Sequence, residues 1–568
     1  MPQILFTWLL FFSLCLFLGS WTEKRIIKKY FVYAAEPSVW LLFWTGVAVL
    51  YVILSLVTFF TPLDSVAKPT LWFAFSGFIW FEKTIFMALL IRFKSGLKHF
   101  GWVAWLAFSL TAFMALLKSA GVPEVFDEGA YHLPLIRMWE QQGIVPGFAN
   151  LNAHYGLHSS WHILSAFSNL SFLPGFVSEM CLNGLLAVFL ALFSASRLQH
   201  LQDGKVITLS GFAAIFLPFF LFRNLLSSPN TDVPAITGAW FFFLLLLERI
   251  EKKQDLITSP ALFLILPVFL VILKASSAGL LFAPAAFFIL RWINNERKGL
   301  IFSILVAIGL PLGIWILQNW LLSGYLIYPL EFTALGSPDW QVPPENMQKK
   351  FYSEQFGAFA PPAVYNLQWL RSWFSAHNTD SRLIILLASM FFIAFPFVLQ
   401  RVKKTAAFRR DMIVFYLLLL LPAVIWLFSV TEPRYGFGTL VIAALFVPGF
   451  LIVGIQRKLP VVWPFPVLII PLMALNCRKS LAEFEGQGRP FLIPEAVPQV
   501  TYRSLQCGNF TANCPQQYKT PVPSGKPVFC WDCPFPCFPL EGITDSAFVF
   551  EDKMAWFTTF YFQKKSKP

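Results

Sequence analysis

Apolar run follows apolar run along this chain, separated by short polar links, and no other feature limits its possible folds so strongly. In hydrocarbon every backbone N–H and C=O must be paired within the protein, so a crossing segment is a helix of about 20 apolar residues. Such runs lie near 3–20, 37–60, 70–91, 103–117, 173–194, 207–222, 233–248, 257–273, 279–291, 300–320, 382–399, 412–429, 436–454 and 461–476. The expectation is an all-α polytopic membrane protein of about 14 transmembrane helices. A content of 57% hydrophobic and 13% charged residues excludes an ordinary soluble domain.

The net charge of +13 does not point to nucleic acid, because the basic residues are dealt out in small clusters between the runs. "TEKRIIKK", "RFKSGLKH", "RLQHLQDGK", "ERIEKK", "RWINNERK", "QRVKKTAAFRR" and "QRK" fall in every second connection. The positive-inside rule assigns that set to the cytoplasm and both termini to the outside, as in a multi-pass protein of a bacterial inner membrane. The first run lacks a basic leader and a clear cleavage site, so a retained span is expected rather than a signal peptide.

The same alternation places "VFDEGAYHLPLIRMWEQQG" (residues 125–143) outside, in a loop over 118–172. With it come "RNLLSSPNTDVP", "KASSAG" and "SVTEPRYGFG", a long stretch at 321–381 and a tail over 477–568. Six of the eight cysteines lie at or beyond the last run: Cys477, Cys507, Cys514, Cys530, Cys533 and Cys537. An even set in an oxidising compartment reads as a small disulfide-stapled tail, and "CWDC" leaves a zinc site as the alternative.

Ionisable residues on the outer side are the candidates for chemistry. Asp127 and Glu128 are adjacent carboxylates suited to general-base work or metal ligation. His132, His154, His158 and His162 follow, four of the seven histidines. The last three, spaced i, i+4, i+8, would share a helical face, either as metal ligands or as an interfacial helix anchored by Trp161, the reading favoured here. Asp232 is a second outer acid or a helix cap. Lys274 ends a span beside small residues, where it either snorkels or meets a phosphate. Arg434 offers a fork that matches phosphate, with Tyr435 and glycines beside it. Glu82 and Lys83 fall within the third run, as intramembrane glue or as part of a transport path.

An acidic pair in a large outer loop, a second outer acid and basic residues at span ends resemble the GT-C superfamily of membrane glycosyltransferases. The resemblance covers about residues 103–455 and makes 103–476 a GT-C-like core, with 1–102 as additional N-terminal helices. "DEGAYHLP", "SPNTD", "SGYLIYPLEF" with "DWQVP", "EPRYGFG" and "CWDCPFPC" are also similar to a family of bacterial polytopic proteins with a Cys- and Pro-rich tail, a likeness that supplies no activity.

The GT-C resemblance implies transfer of a sugar from a polyprenyl-phosphate-linked donor to an extracytoplasmic glycan, lipid or protein acceptor, with inversion. Asp127 would be the base, assisted by Glu128. Asp232 or His132 would position the acceptor or a divalent metal, and Lys274, Arg434 and Tyr435 would hold the donor phosphate. A lipid-linked glycan polymerase or ligase and a transporter or flippase are the competing readings. No GxxxxGK[ST] loop is present, which argues against ATP-driven transport.

Overall fold

The computed structural model describes residues 2–31, 36–121, 127–174, 176, 181–202, 208–221, 226–293, 303–347, 367–401, 405–429 and 431–456. In the tail it describes 478, 500–507, 510–518, 530, 537, 548–551 and 561–564. Among these residues ten helices are long and apolar enough to cross a membrane, or up to eleven if one sharply bent pair counts as a span. The chain is a multi-pass helical membrane protein.

The helices used below are α1 (Pro2–Tyr30), α2 (Val39–Thr58), α3 (Ala67–Phe81), α4 (Lys83–Lys98), α5 (Trp102–Ser119), α6 (Leu133–Gln141) and α7 (Ser160–Ser168). They continue with α8 (Leu182–Gln202), α9 (Leu209–Leu221), α10 (Asp232–Glu251), α11 (Ala261–Leu273), α12 (Ala275–Ile293) and α13 (Leu305–Ser323). The last are α14 (Leu367–Ala376), α15 (Thr379–Arg401), α16 (Ala406–Phe428) and α17 (Pro433–Gln456).

Several expected spans differ in detail. The run at 207–222 forms only the short α9, and the run at 461–476 lies outside the described residues. The run at 70–91 is not continuous: α3 and α4 meet at an 84° bend. Glu82 sits at the break, which removes it and Lys83 from the middle of a straight span. A carboxylate there reaches the Arg25 guanidinium at the end of α1, at 2.9 Å through both oxygens.

Small residues set the closest helix contacts. A Cβ at Gly19 would collide with the Leu42 carbonyl, and one at Gly46 with the Cys15 carbonyl, so α1 and α2 pack antiparallel with their backbones touching. In lipid, where apolar burial gives little preference for one helix neighbour over another, such close packing is a main source of association. Gly438 does the same for α17 against Ala239 of α10, where an added Cβ would lie 2.9 Å from the alanine methyl.

The bundle has two distinct poles. At one, the Ile144 amide donates to the Thr58 carbonyl at the end of α2, so the segment 127–174 caps that end; this is called the loop pole. Here Glu140 of α6 is only 6% exposed and accepts from Lys68 of α3 at 3.0 Å, Arg137 at 2.6 Å and Asn169 at 2.6 Å. At the opposite, basic pole lie the end of α1 and the start of α2.

The tail adds strands that an all-α reading did not include. β1 (Val500–Cys507) pairs antiparallel with β2 (Phe510–Tyr518), and β3 (Phe548–Glu551) with β4 (Tyr561–Lys564). Cys530 and Cys537 form a disulfide, and the Tyr155 hydroxyl donates to the Cys537 carbonyl at 3.2 Å. Cys477 and Cys533 lie outside the described residues, as do the side chains of Cys507 and Cys514.

Candidate functional site

Four segments distant in sequence meet at the loop pole. Asp232 is the first residue of α10, but it is not the cap of that helix: the Asn230 side chain takes that role by accepting from the Val233 amide at 3.2 Å. The Asp232 carboxylate is therefore released for an ion pair with the Lys274 ammonium. Lys274 stands at the junction of α11 and α12 with extended backbone, which turns its side chain away from both helix axes.

Arg434, in the first turn of α17, reaches both acids. Its Nη1 lies 3.9 Å from Asp127 Oδ2 and 4.0 Å from Asp232 Oδ2. Tyr435 lies under both cations, with Lys274 Nζ 4.2 Å and Arg434 Cζ 5.0 Å from its ring centroid. The Arg434 Nη2 also donates to the Tyr435 hydroxyl at 3.1 Å. Glu432, the neighbour that could have held Arg434 as a simple interfacial pair, makes no ion pair with it among the described residues; burial raises the Glu432 carboxyl above its usual range.

Below this cluster is a cleft with about 440 Å³ of empty space, part of it open to solvent. Its polar lining is Asp232, Lys274, Ser276, Ser277, Arg434, Tyr435 and Thr439. Its apolar lining is Ala235, Ile236, Ala239, Phe243, Leu280, Pro422 and Gly438. Beside it Gly438 and Ala239 keep α17 and α10 in close contact.

Buried hydrogen bonds hold the segments that carry these groups. Asn183 of α8 donates to the carbonyls of Ser228 and Asn230 at 2.6 and 3.0 Å, and Trp161 in turn donates to Asn183 at 2.9 Å. Ser159 donates to the Leu273 carbonyl at 2.6 Å, immediately before Lys274. Trp240 of α10 donates to the Phe437 carbonyl at 3.1 Å, fixing α17 over α10. None of these partner choices could be read from the sequence, although the residue types, buried amides and indoles, are those that need a partner.

The remaining candidates fall behind the cluster. Asp127 and Glu128 diverge: the Asp127 side chain is 28% exposed beside Arg434, while Glu128 is buried at 1% and does not line the cleft. Tyr131 stacks on His154, centroids 5.1 Å apart, and burial together with Asp127 raises its phenol well above the usual range. His132 Nδ1 and His162 Nε2 share a hydrogen bond at 2.8 Å. His158 Nε2 bonds to Gln318, which also accepts from Tyr51 at 3.1 Å.

The expected histidine helix is corrected. His154 is in a short 3-10 turn, His158 in the link that follows and His162 in α7, so the three share no face. Nor does α7 lie on headgroups: all nine of its residues are buried, with Trp161 at 1% and His162 at 0% exposure. Burial holds His132 down at about 3, His158 at about 4 and His162 well below the normal value, so the three are neutral near pH 7. No group of three or more His, Cys, Asp or Glu placed to hold a metal occurs among the described residues.

What the arrangement can do is bind a group bearing negative charge while keeping a carboxylate at the rim. Lys274, Arg434 and the Asp232 carboxylate line the cleft, and the Asp127 carboxylate stands beside Arg434 outside that lining. An anionic group that engages Lys274 and Arg434 would loosen their hold on Asp127 and Asp232, freeing a carboxylate to accept a proton.

No curated protein matches the chain, and no solved structure matches it. A family model does match, over residues 1–441, a span that contains every residue of the cluster. By that match the chain belongs to the family described as Domain of unknown function (DUF8201).

Proposed function

We propose that the loop pole is the extracytoplasmic face and that the cleft is the active site of a membrane glycosyltransferase of GT-C type, taking its sugar from a polyprenyl-phosphate-linked donor. The observation that carries the reading is the meeting of Asp127, Asp232, Lys274 and Arg434 beside a cleft with both polar and apolar lining. The donor phosphate would lie against Lys274 and Arg434, with Tyr435 as their floor, and the start of its hydrocarbon chain along Ala235, Ala239 and Gly438.

Asp127 accepts the proton of an acceptor hydroxyl as that oxygen attacks the anomeric carbon. The bond from that carbon to the phosphate oxygen breaks, and the leaving phosphate takes the electron pair, so one displacement inverts the configuration. General-base help of this kind contributes roughly 10² to 10⁴-fold. Preorganised cations in a water-poor cleft stabilise the charge that develops on the departing phosphate. Asp232 orients Lys274. The position of Glu82, at a helix break and paired with Arg25, weakens the case for a transport path through the mid-membrane.

The test is release of polyprenyl phosphate from a panel of polyprenyl-phosphate monosaccharides by the reconstituted full-length protein, with a bacterial cell-envelope extract supplying the acceptor. Turnover of one donor, lowered at least about 10²-fold by Asp127→Asn in a variant with unchanged thermal stability, is expected. Full activity in Asp127→Asn would reject the assignment of the base, and no release from any donor would reject the class.

A further inference from the structure

We propose that α4 lies in the plane of the membrane at the basic pole and seats on the headgroups of anionic phospholipids. Both halves of the 84° bend contribute to this geometry. α3 runs from Lys68, bound to Glu140 at the loop pole, to Glu82, bound to Arg25 at the basic pole. At 1.5 Å per residue it covers about 22 Å, most of a hydrocarbon core of about 30 Å.

α4 does not return. Arg92, near its far end, donates to the Pro37 carbonyl at 2.7 Å, just before α2 begins. The end of α1 and the start of α2 belong to the same pole, because the two helices are antiparallel neighbours through Gly19 and Gly46. The two ties, from Glu82 and from Arg92, therefore hold α4 across that pole rather than along a span.

The surface of α4 suits one occupant. Ile85 and Leu89 are buried against the bundle, and Phe86 and Phe93 meet Phe17 and Phe12 of α1. Met87 and Ile91 remain 53% and 67% exposed, and Phe81 at the bend is 86% exposed. Water would penalise that apolar surface, whereas an acyl boundary accepts it.

Among them stand Lys83, Lys94 and Lys98, all exposed and with no ion pair among the described residues; Lys24 and Lys29 of α1 add two more at the same pole. The nearby acids are engaged or covered: Glu82 holds Arg25, Glu36 holds Lys28, and Glu23 is buried. The pole is thus left with uncompensated lysines beside exposed apolar residues, and Trp80 under the Lys83 ammonium provides an interfacial anchor. A lysine near an anionic leaflet gains about 1 kcal/mol, equivalent to about fivefold in binding.

The experiment uses the full-length protein reconstituted with equal parts phosphatidylglycerol and phosphatidylcholine, then stripped gently and assayed for retained lipid. The wild type should retain phosphatidylglycerol preferentially. The combined Lys83→Gln, Lys94→Gln, Lys98→Gln variant should lose that preference by about fivefold or more, while Lys118→Gln, at the loop-pole end of α5, should keep it. No loss in the first set, or equal loss in both, would overturn the proposal. Should the triple variant fold poorly, a spin label at Ile91→Cys decides the matter alone. Stronger relaxation by a lipid-soluble agent than by a water-soluble one is expected, and the reverse would overturn the in-plane placement.

Discussion

The loop pole and the α1–α4 corner of the basic pole use charge differently. At the loop pole ionisable groups are cross-connected and several are buried: Glu140 holds three partners, His132 is paired with His162, and the half-exposed Arg434 stands between two acids. Around α1 and α4 at the basic pole the pairs are single and wetter, with Arg25 57% exposed in its pair with Glu82 and Glu36 75% exposed in its pair with Lys28, whereas Arg197 and Glu248, where α8 and α10 end, are covered. Taking charge out of water is costly and persists where several partners fix the geometry. The difference therefore separates a cluster held in position by several partners from a corner held by single exposed pairs.

That contrast can be broken by substitution. The largest effect is expected from Asp127→Asn, which should lower sugar transfer at least about 10²-fold with little change in melting temperature; a parallel loss of stability would instead make Asp127 a structural residue. Next comes Glu140→Ala, which strands Lys68 and Arg137 in a buried site and should cost about 3–5 kcal/mol. Denaturant or thermal unfolding in detergent reads this directly, and a loss below about 1 kcal/mol would mean that the cluster is solvated after all.

A smaller effect comes from pH. In the unfolded chain each histidine protonates near pH 6.5, whereas in the fold burial holds His158 at about 4 and His132 at about 3. Both are depressed, so their contribution is complete above about pH 6.5 and is lost as the pH falls toward those lower values. At pH 5 each should have cost roughly 2 kcal/mol, seen as a lower melting temperature than at pH 8 and a shallower fall in His158→Gln. The smallest effect belongs to the opposite pole: Glu82→Gln should leave the melting temperature unresolved from wild type, since the pair it breaks is exposed. A clear drop there would remove the distinction between the poles.

How much of this was legible before the fold was seen varies by residue. Asp127, Asp232, Lys274, Arg434 and Tyr435 could be singled out because an ionisable or aromatic side chain at the end of an apolar run is conspicuous, and alternation of basic links put them on one side. Their mutual distances could not be obtained that way. The histidines misled, because i, i+4 spacing implies a shared face only in a continuous helix, and a turn at His154 and a link at His158 interrupt it. The break at Glu82 also escaped notice, since α3 and α4 are both apolar and neither proline nor glycine marks the join.

The sequence by itself determined that the chain is helical and membrane-embedded and how its basic links alternate, because hydrocarbon allows no unpaired backbone and every crossing must be locally complete. Only the tertiary structure decided which acid meets which base, which histidines are buried and where α3 and α4 bend away from each other. Those outcomes depend on contacts between residues far apart in the chain, such as Asn183 with Ser228, Trp240 with Phe437 and Glu82 with Arg25, and composition and periodicity carry no record of them.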